Sequence, residues 1–163
     1  MTIVALSLGS NTNPAQYLAS ALDALQGKFG TLRISSVLES EAVGFSGDNF
    51  LNLVVLIDTT EKLEDLALFL KRLEDQHGRS RQGPRFSGRT LDIDILTYGD
   101  LHGMFAGITL PREEIVENAY VLWPMSQVLG EAVHAPTGKT YAQLWAEYDK
   151  DRQKLWPVPF AWG

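Results

Sequence analysis

The residues best suited to chemistry lie in one run from Gly78 to Asp94, G-R-S-R-Q-G-P-R-F-S-G-R-T-L-D-I-D. Its first part carries Arg79, Arg81, Arg85 and Arg89 and no acid. These are interleaved with Gly78, Gly83, Pro84 and Gly88, so an exposed loop is predicted rather than a helix. From Leu91 the pattern alternates, with Leu91, Ile93 and Ile95 on one side and Asp92 and Asp94 on the other, which predicts a half-buried strand. At about 3.3 Å per residue the two aspartates share a face, roughly 6 to 7 Å apart at the backbone. Two carboxylates so close repel unless a cation sits between them, and a pair of hard cations about 3.5 to 4 Å apart suits such a site. An all-oxygen donor set favours magnesium, which takes one or two carboxylates together with substrate phosphates. Neighbouring guanidinium groups then point to a polyphosphate, whose spread charge they neutralise bidentately. Taken singly, a D-x-D pair on a strand is more often a solvated face, and an arginine-rich loop more often plain surface. It is their adjacency, in a chain that is acidic overall, that argues for a site.

The chain that must position these residues has 163 residues, which predicts a single domain over 1–163 with a good core. Fourteen basic against 20 acidic residues give a net charge of −6, which argues against a nucleic-acid coat protein or a membrane-surface binder. The positive charge is local, so the expected partner is a small molecule. There is no cysteine, which excludes disulfides and thiol chemistry. No apolar run approaches the length of a membrane span and the N-terminus lacks a signal-peptide pattern, so a cytoplasmic protein is expected.

Along the chain, Ile3 to Leu8 reads as a buried strand closed by Gly9. Asn13 can cap and Pro14 can open a helix carrying Leu18, Ala21, Leu22 and Leu25, ended by Gly27 and Gly30. Leu32 to Leu38 suggests a second strand, blurred at Ser36 and Val37. Phe50 to Ile57 is the strongest strand signal. Within it Asn52 either bonds neighbouring backbone or faces a flat heterocycle, with Phe50 on the same side. Thr60 can cap a helix with Leu63, Leu66, Ala67, Leu70 and Leu73 as its stripe. Near its end, Glu74 is either a solvated or salt-bridged helix acid or a contact to substrate or Arg79. The order β-α-β-β-α-β predicts an α+β fold, a ferredoxin-like antiparallel sheet with two helices on one face and the other face left for a ligand.

C-terminal additions follow: a glycine-punctuated loop, an acidic helix from Arg112 to Asn118, an apolar run from Tyr120 to Met125, and a stripe of Tyr141, Leu144, Trp145 and Tyr148 at helical spacing. The final L-W-P-V-P-F-A-W-G either lies over the body or marks a contact surface. The usual phosphate loop is absent: Gly138-Lys139-Thr140 ends like one, but Val133 stands where its first glycine belongs.

At this point the sequence resembles the 6-hydroxymethyl-7,8-dihydropterin pyrophosphokinase family. The motifs are A-L-S-L-G-S-N at 5–11, F-L-N at 50–52, R-L-E-D-Q-H-G-R-S-R at 72–81, R-F-S-G-R-T-L-D-I-D-I-L-T-Y-G-D at 85–100, L-P-R at 110–112 and V-L-W-P at 121–124. The resemblance covers nearly the whole chain. It implies the ferredoxin-like fold and transfer of pyrophosphate from ATP to a pterin alcohol with release of AMP, in folate biosynthesis. It further implies that Asp92 and Asp94 hold two magnesium ions and that Arg79, Arg89 and Arg81 close over the phosphates, with Arg85 and Glu74 near the nucleotide. Phe50 and Tyr120 would stack on the pterin, and Asn52 and the main chain around Val43 and Gly44 would bond its edge. A monomer is expected.

The sequence departs from the family where histidine and tyrosine usually follow L-P, having Arg112 and Glu113, and where an ATP-contacting arginine is replaced by Asn118. Phe86 stands for a usual tryptophan, Gly88 for a proline, and Glu41-Ala42 for paired prolines. The nucleotide side is thus changed more than the pterin side, and Arg112 is a candidate to replace the cation lost at Asn118. The alternative to catalysis is a divergent paralogue that binds pterin without transferring pyrophosphate. An RNA-binding sheet fits poorly, since the net charge is negative and the strand aromatics that such sheets use are missing. A nucleotide-sugar transferase fits poorly too, since alternating β-α units are missing.

Overall fold

The computed structural model describes residues 1–40, 49–77, 91–151, 153–160 and 162. Val43, Gly44, Arg79, Arg81, Arg85 and Arg89 lie outside the described residues. In chain order the elements are β1 (Thr2–Ser10), α1 (Pro14–Phe29), β2 (Arg33–Ile34), β3 (Val37–Ser40), β4 (Phe50–Thr59), α2 (Leu63–Gln76), β5 (Asp92–Tyr98), β6 (Gly103–Phe105), β7 (Ile108–Leu110), α3 (Glu114–Glu117), α4 (Ala119–Val128), β8 (Val133–His134), β9 (Lys139–Thr140), α5 (Tyr141–Glu147) and β10 (Leu155–Val158).

Alternation within the long strands divides their side chains between two cores. Val4, Leu6 and Leu8 of β1, Leu53, Val55 and Ile57 of β4, and Ile93 and Ile95 of β5 point to one face, where Leu18, Leu22 and Leu25 of α1 and Leu66, Leu70 and Leu73 of α2 cover them. Each of these leucines is fully or almost fully buried, a contribution of about 1.5 to 3 kcal/mol apiece. The strands run in the order β10-β3-β4-β1-β5, with every pair antiparallel. The expected ferredoxin-like sheet with α1 and α2 on one face is therefore present.

The opposite face differs from expectation. It is not left open along its length, because Ala5, Val54, Leu56 and Leu96 meet Ile115, Val121, Leu122, Met125 and Val128 in a second core. The apolar run at Tyr120 is the cause: in α4 it supplies the stripe that seals this half of the sheet. What stays uncovered by that core is the end of the sheet holding Ser7, Gly9, Asn52, Asp92 and Asp94.

Local rules explain the other differences. The strand expected over Leu32 to Leu38 is split, because three residues lie between Ile34 and Leu38 where the partner strand has two between Val55 and Asn52. Ser35 bridges the fault, its hydroxyl accepting from Val54 N at 2.9 Å. Asn13 sits at the helix start in the left-handed region, with φ 43°, and its side chain makes no cap. Gly27 is inside α1, and Gly30 ends it. Thr60 does not cap α2, which begins after Lys62; the hydroxyl of Thr59 instead accepts from Glu61 N. The stripe after Thr140 forms only α5, fixed by a reciprocal capping box between Thr140 and Gln143. The aromatic, proline-rich end becomes β10, which adds an outer strand beside β3, with Trp162 Nε1 donating to Asp23 of α1 at 2.8 Å. Among the described residues no helix is long and apolar enough to cross a membrane.

Candidate active site

The uncovered end of the sheet is built by register. Gly9 pairs with Asn52 on one side and with Asp92 on the other, so the three form a row across one face. Ser7 pairs with Asp94, which places the second aspartate on the same face one step along β5. Phe50, two residues before Asn52, belongs to this face as well, opposite Ser40. The floor of the row is Gly9, where a Cβ would stand 2.6 Å from Asn52 Oδ1. The carboxamide of Asn52 therefore lies over β1, and Gly9 is glycine because that amide occupies the space. Asn52 is buried and its Nδ2 donates to Ser40 Oγ at 3.3 Å, so the residue bonds a side chain and not the neighbouring backbone.

Around Asp94 the sequence neighbours beyond Pro111 converge. The backbone of Arg112 donates to Leu96 O at the outer edge of β5, and its Nη2 donates to Asp94 Oδ1 at 2.9 Å. The side chains are 35 and 42 % exposed, so the pair sits at the rim of the site and a ligand can compete for either partner. Glu114 completes the cluster, with its Oε1 4.0 Å from Arg112 Nε, an ion-pair distance too long for a hydrogen bond. Burial raises the Glu114 carboxyl above its ordinary value, the charge of Asp94 adds to that, and Arg112 opposes it. Burial likewise raises the Tyr120 phenol above its ordinary value, and the charges of Glu114 and Asp94 add to that.

Glu74 is joined to the same strand from the other side. Its Oε2 accepts from Ile93 N at 2.8 Å, so a carboxylate of α2 holds the backbone between the two aspartates. Its bond to the strand backbone is a positioning role that the sequence reading, a solvated or salt-bridged helix acid or a contact to substrate or Arg79, did not include, and Arg79 lies outside the described residues. Beside it a cleft of about 330 Å³ is lined by Leu70, Lys71 and Glu74, by Ile93 to Ile95, and by Ile108 and Arg112. One wall is aliphatic and one end is charged. A larger hollow of about 600 Å³ lies between Met1, Tyr98 and Leu129, at the far end of β1 and β5 from Gly9 and Asp92, and takes no part in this cluster.

Of the described candidates, then, Asn52, Phe50, Asp92 and Asp94 share one face, Arg112 pairs with Asp94, Glu74 braces Ile93, and Tyr120 lies in the first turn of α4. Sequence reading missed Glu114 and the steric role of Gly9. The first has no periodic signal, and the second needed the register of β1 against β4. Among the described residues no three His, Cys, Asp or Glu side chains gather, so a metal would rest on the aspartate pair. That pair fits a hard divalent cation: its donors are oxygen only, it faces a polar rim, and Asp94 already draws a guanidinium.

Comparison with known proteins identifies the family. Residues 5–130 match the 7,8-dihydro-6-hydroxymethylpterin-pyrophosphokinase (HPPK) family. The 2-amino-4-hydroxy-6-hydroxymethyldihydropteridine pyrophosphokinase of Synechocystis sp. is 30% identical over 162 residues, covering 94% of this chain and 78% of the relative. The Aquifex aeolicus protein of the same name is 30% identical over 136 residues, covering 82% of this chain and 84% of the relative. Among solved structures, the wild-type Plasmodium falciparum HPPK-DHPS aligns with a TM-score of 0.72 at 14% identity over 90% of this chain. This chain spans only 41% of that longer one, and at such identity the likeness shows the fold alone. With most of its length matched and its strand motifs meeting on one face of the sheet, the chain belongs to the 7,8-dihydro-6-hydroxymethylpterin pyrophosphokinase family of ATP-dependent folate-pathway enzymes.

Proposed function

We propose that the chain moves a pyrophosphoryl group from ATP to the hydroxyl of 6-hydroxymethyl-7,8-dihydropterin, releasing AMP, with Asp92 and Asp94 as ligands of two magnesium ions. The observation that carries this reading is the row Asn52, Gly9, Asp92, with Asp94 one step on, which sets an amide edge and two hard carboxylates on one face. The hydroxyl oxygen bonds to the β-phosphorus, the bond from that phosphorus to the oxygen bridging to the α-phosphate breaks, and the proton passes to solvent. Magnesium at the aspartates would neutralise phosphate charge and lower the pKa of the hydroxyl.

The chain's own residues bind and align. Phe50 and Tyr120 stack on the pterin and Asn52 meets its rim, the pocket a flat molecule with apolar faces and a polar edge requires. The main chain at Val43 and Gly44 takes further rim contacts. Arg79, Arg81, Arg85 and Arg89 neutralise the polyphosphate. The cleft beside β5 suits the nucleotide, with its aliphatic wall toward the base and Lys71 and Arg112 toward the phosphates. Holding both substrates in line can lower the barrier by about 7 to 11 kcal/mol, and no strong protein base is required where magnesium lowers the pKa of the hydroxyl. On this reading the chain is one domain and acts as a cytoplasmic monomer on small molecules, not on nucleic acid.

The test is a magnesium-dependent assay with ATP and the pterin alcohol that separates AMP from ADP. AMP formed in step with pterin pyrophosphate is expected; ADP, or pterin binding without AMP, sinks the reading. A second prediction concerns Arg112. With alanine there, the KM for ATP is expected to rise roughly tenfold, the effect of losing one charge-assisted contact of about 1.5 kcal/mol, with the pterin KM little changed. An unchanged ATP KM would remove Arg112 from the nucleotide side.

A further inference from the structure

The N-terminus of α4, which carries Tyr120, lacks two of the bonds that usually hold a first helical turn. Asn118 occupies the capping position, yet its side chain makes no cap to the helix backbone. Pro124 sits four residues after Tyr120 inside the helix and has no N–H to give to the Tyr120 carbonyl. The turn is fastened from outside instead. Gln153 Oε1 accepts from Ala119 N at 2.8 Å and Gln153 Nε2 donates to Asn118 Oδ1 at 2.9 Å. Since a backbone N–H can only donate, the orientation of the Gln153 amide is fixed by the first bond and the second follows from it.

Two residues further on, the same segment reaches the other side of the site. Leu155 opens β10 directly opposite Ser40, whose hydroxyl accepts from Asn52. A stretch of three residues thus ties the helix turn bearing Tyr120 to the strand supporting Asn52. Neither Gln153 nor Leu155 is among the residues assigned to substrate.

We propose that Gln153 is a positioning residue for pterin binding, holding the first turn of α4 so that Tyr120 stands at the stacking distance from the ring. The proposal rests on the reading that Tyr120 stacks on the pterin. Gln153→Ala leaves the Ala119 N–H without its partner and frees the turn, which raises the KM for pterin while sparing kcat and the KM for ATP. Gln153→Glu keeps an acceptor for Ala119 N, places a negative charge at a helix N-terminus where it is favoured, and can accept from Asn118 once that amide turns over. It therefore rescues.

The experiment measures both KM values and kcat for Gln153→Ala, Gln153→Glu and Tyr120→Ala in the full chain. Expected are a pterin KM raised roughly five- to tenfold in Gln153→Ala, the size of a lost helix cap, and a value within about threefold of the parent in Gln153→Glu. Asn118→Ala removes one of the two bonds and is expected to move the pterin KM about two- to threefold the same way, which keeps a test if Gln153→Ala does not fold. An unchanged pterin KM in Gln153→Ala, with a raised one in Tyr120→Ala, overturns the role of Gln153 and leaves the stacking reading standing. An unchanged pterin KM in Tyr120→Ala overturns both. Equal changes in both KM values with no rescue by Gln153→Glu show a merely structural residue and also overturn the proposal.

Discussion

Asp94→Ala is expected to lower the rate of AMP formation by about three orders of magnitude or more, a loss of roughly 4 kcal/mol of transition-state stabilisation, in a protein that stays folded. The two halves of this expectation have separate causes. Activity falls because, on the proposed function, the carboxylate would help hold magnesium and so neutralise phosphate charge, and Asp92 on the same face would be left as the one carboxylate of the pair. Stability survives because Asp94 belongs to neither core. Its partner is Arg112 at a rim where the side chains are 35 and 42 % exposed, and such screened pairs are worth at most about 1 kcal/mol. Asp94→Asn, which keeps the shape and removes the charge, is expected to behave almost as badly. Chelation of magnesium in the parent should reproduce the defect reversibly. The checks are an AMP assay beside a thermal melt; more than a tenth of parental activity in Asp94→Ala with an unchanged melt would refute the metal role.

How much of this was legible beforehand depended on whether the deciding interaction was local. The alternation of Leu91 to Ile95 states which side chains go inward, and the structure places Asp92 and Asp94 outward on one face as the period of two demands. Four leucines of α2 repeat at helical spacing and all are buried. Caps were less legible: Asn13 has capping chemistry but a left-handed backbone and makes no side-chain cap, and Thr60 lies two residues before the actual capping position, Lys62. Contacts between distant segments were not legible at all. Nothing near Glu114 reveals that it will stand beside Asp94, since the cluster forms only when Arg112 adds to the edge of β5. The aromatic end of the chain left two choices open, and the answer, a strand beside β3, depends on an edge that the short connections of the sheet leave exposed. Gln153 sits in a polar stretch with no motif, and its partners lie more than thirty residues away.

Gly9→Ala is expected to cost pterin binding more than its size suggests, raising the pterin KM roughly 10- to 100-fold while the KM for ATP changes less than about twofold. The backbone is not the reason, since Gly9 lies in regular β-pairing with both neighbours. The reason is the 2.6 Å between the new methyl position and Asn52 Oδ1, with Cγ of Asn52 at 3.7 Å and Leu51 O at 3.9 Å. The amide must swing off the strand, giving up its bond to Ser40 and its aim at the pterin rim, and overpacking of this kind costs about 1 to 3 kcal/mol of stability. Combining Gly9→Ala with Asn52→Ala separates the two effects. Shortening Asn52 removes the obstacle, so the double variant should regain most of the melting temperature lost by Gly9→Ala yet keep the weak pterin binding of Asn52→Ala. Such non-additivity is the signature of two residues competing for one space. Were the two substitutions to add independently in both the melt and the pterin KM, Gly9 would be glycine for some cause other than the amide lying over it, and Asn52 would lose its main structural support as the residue that meets the pterin.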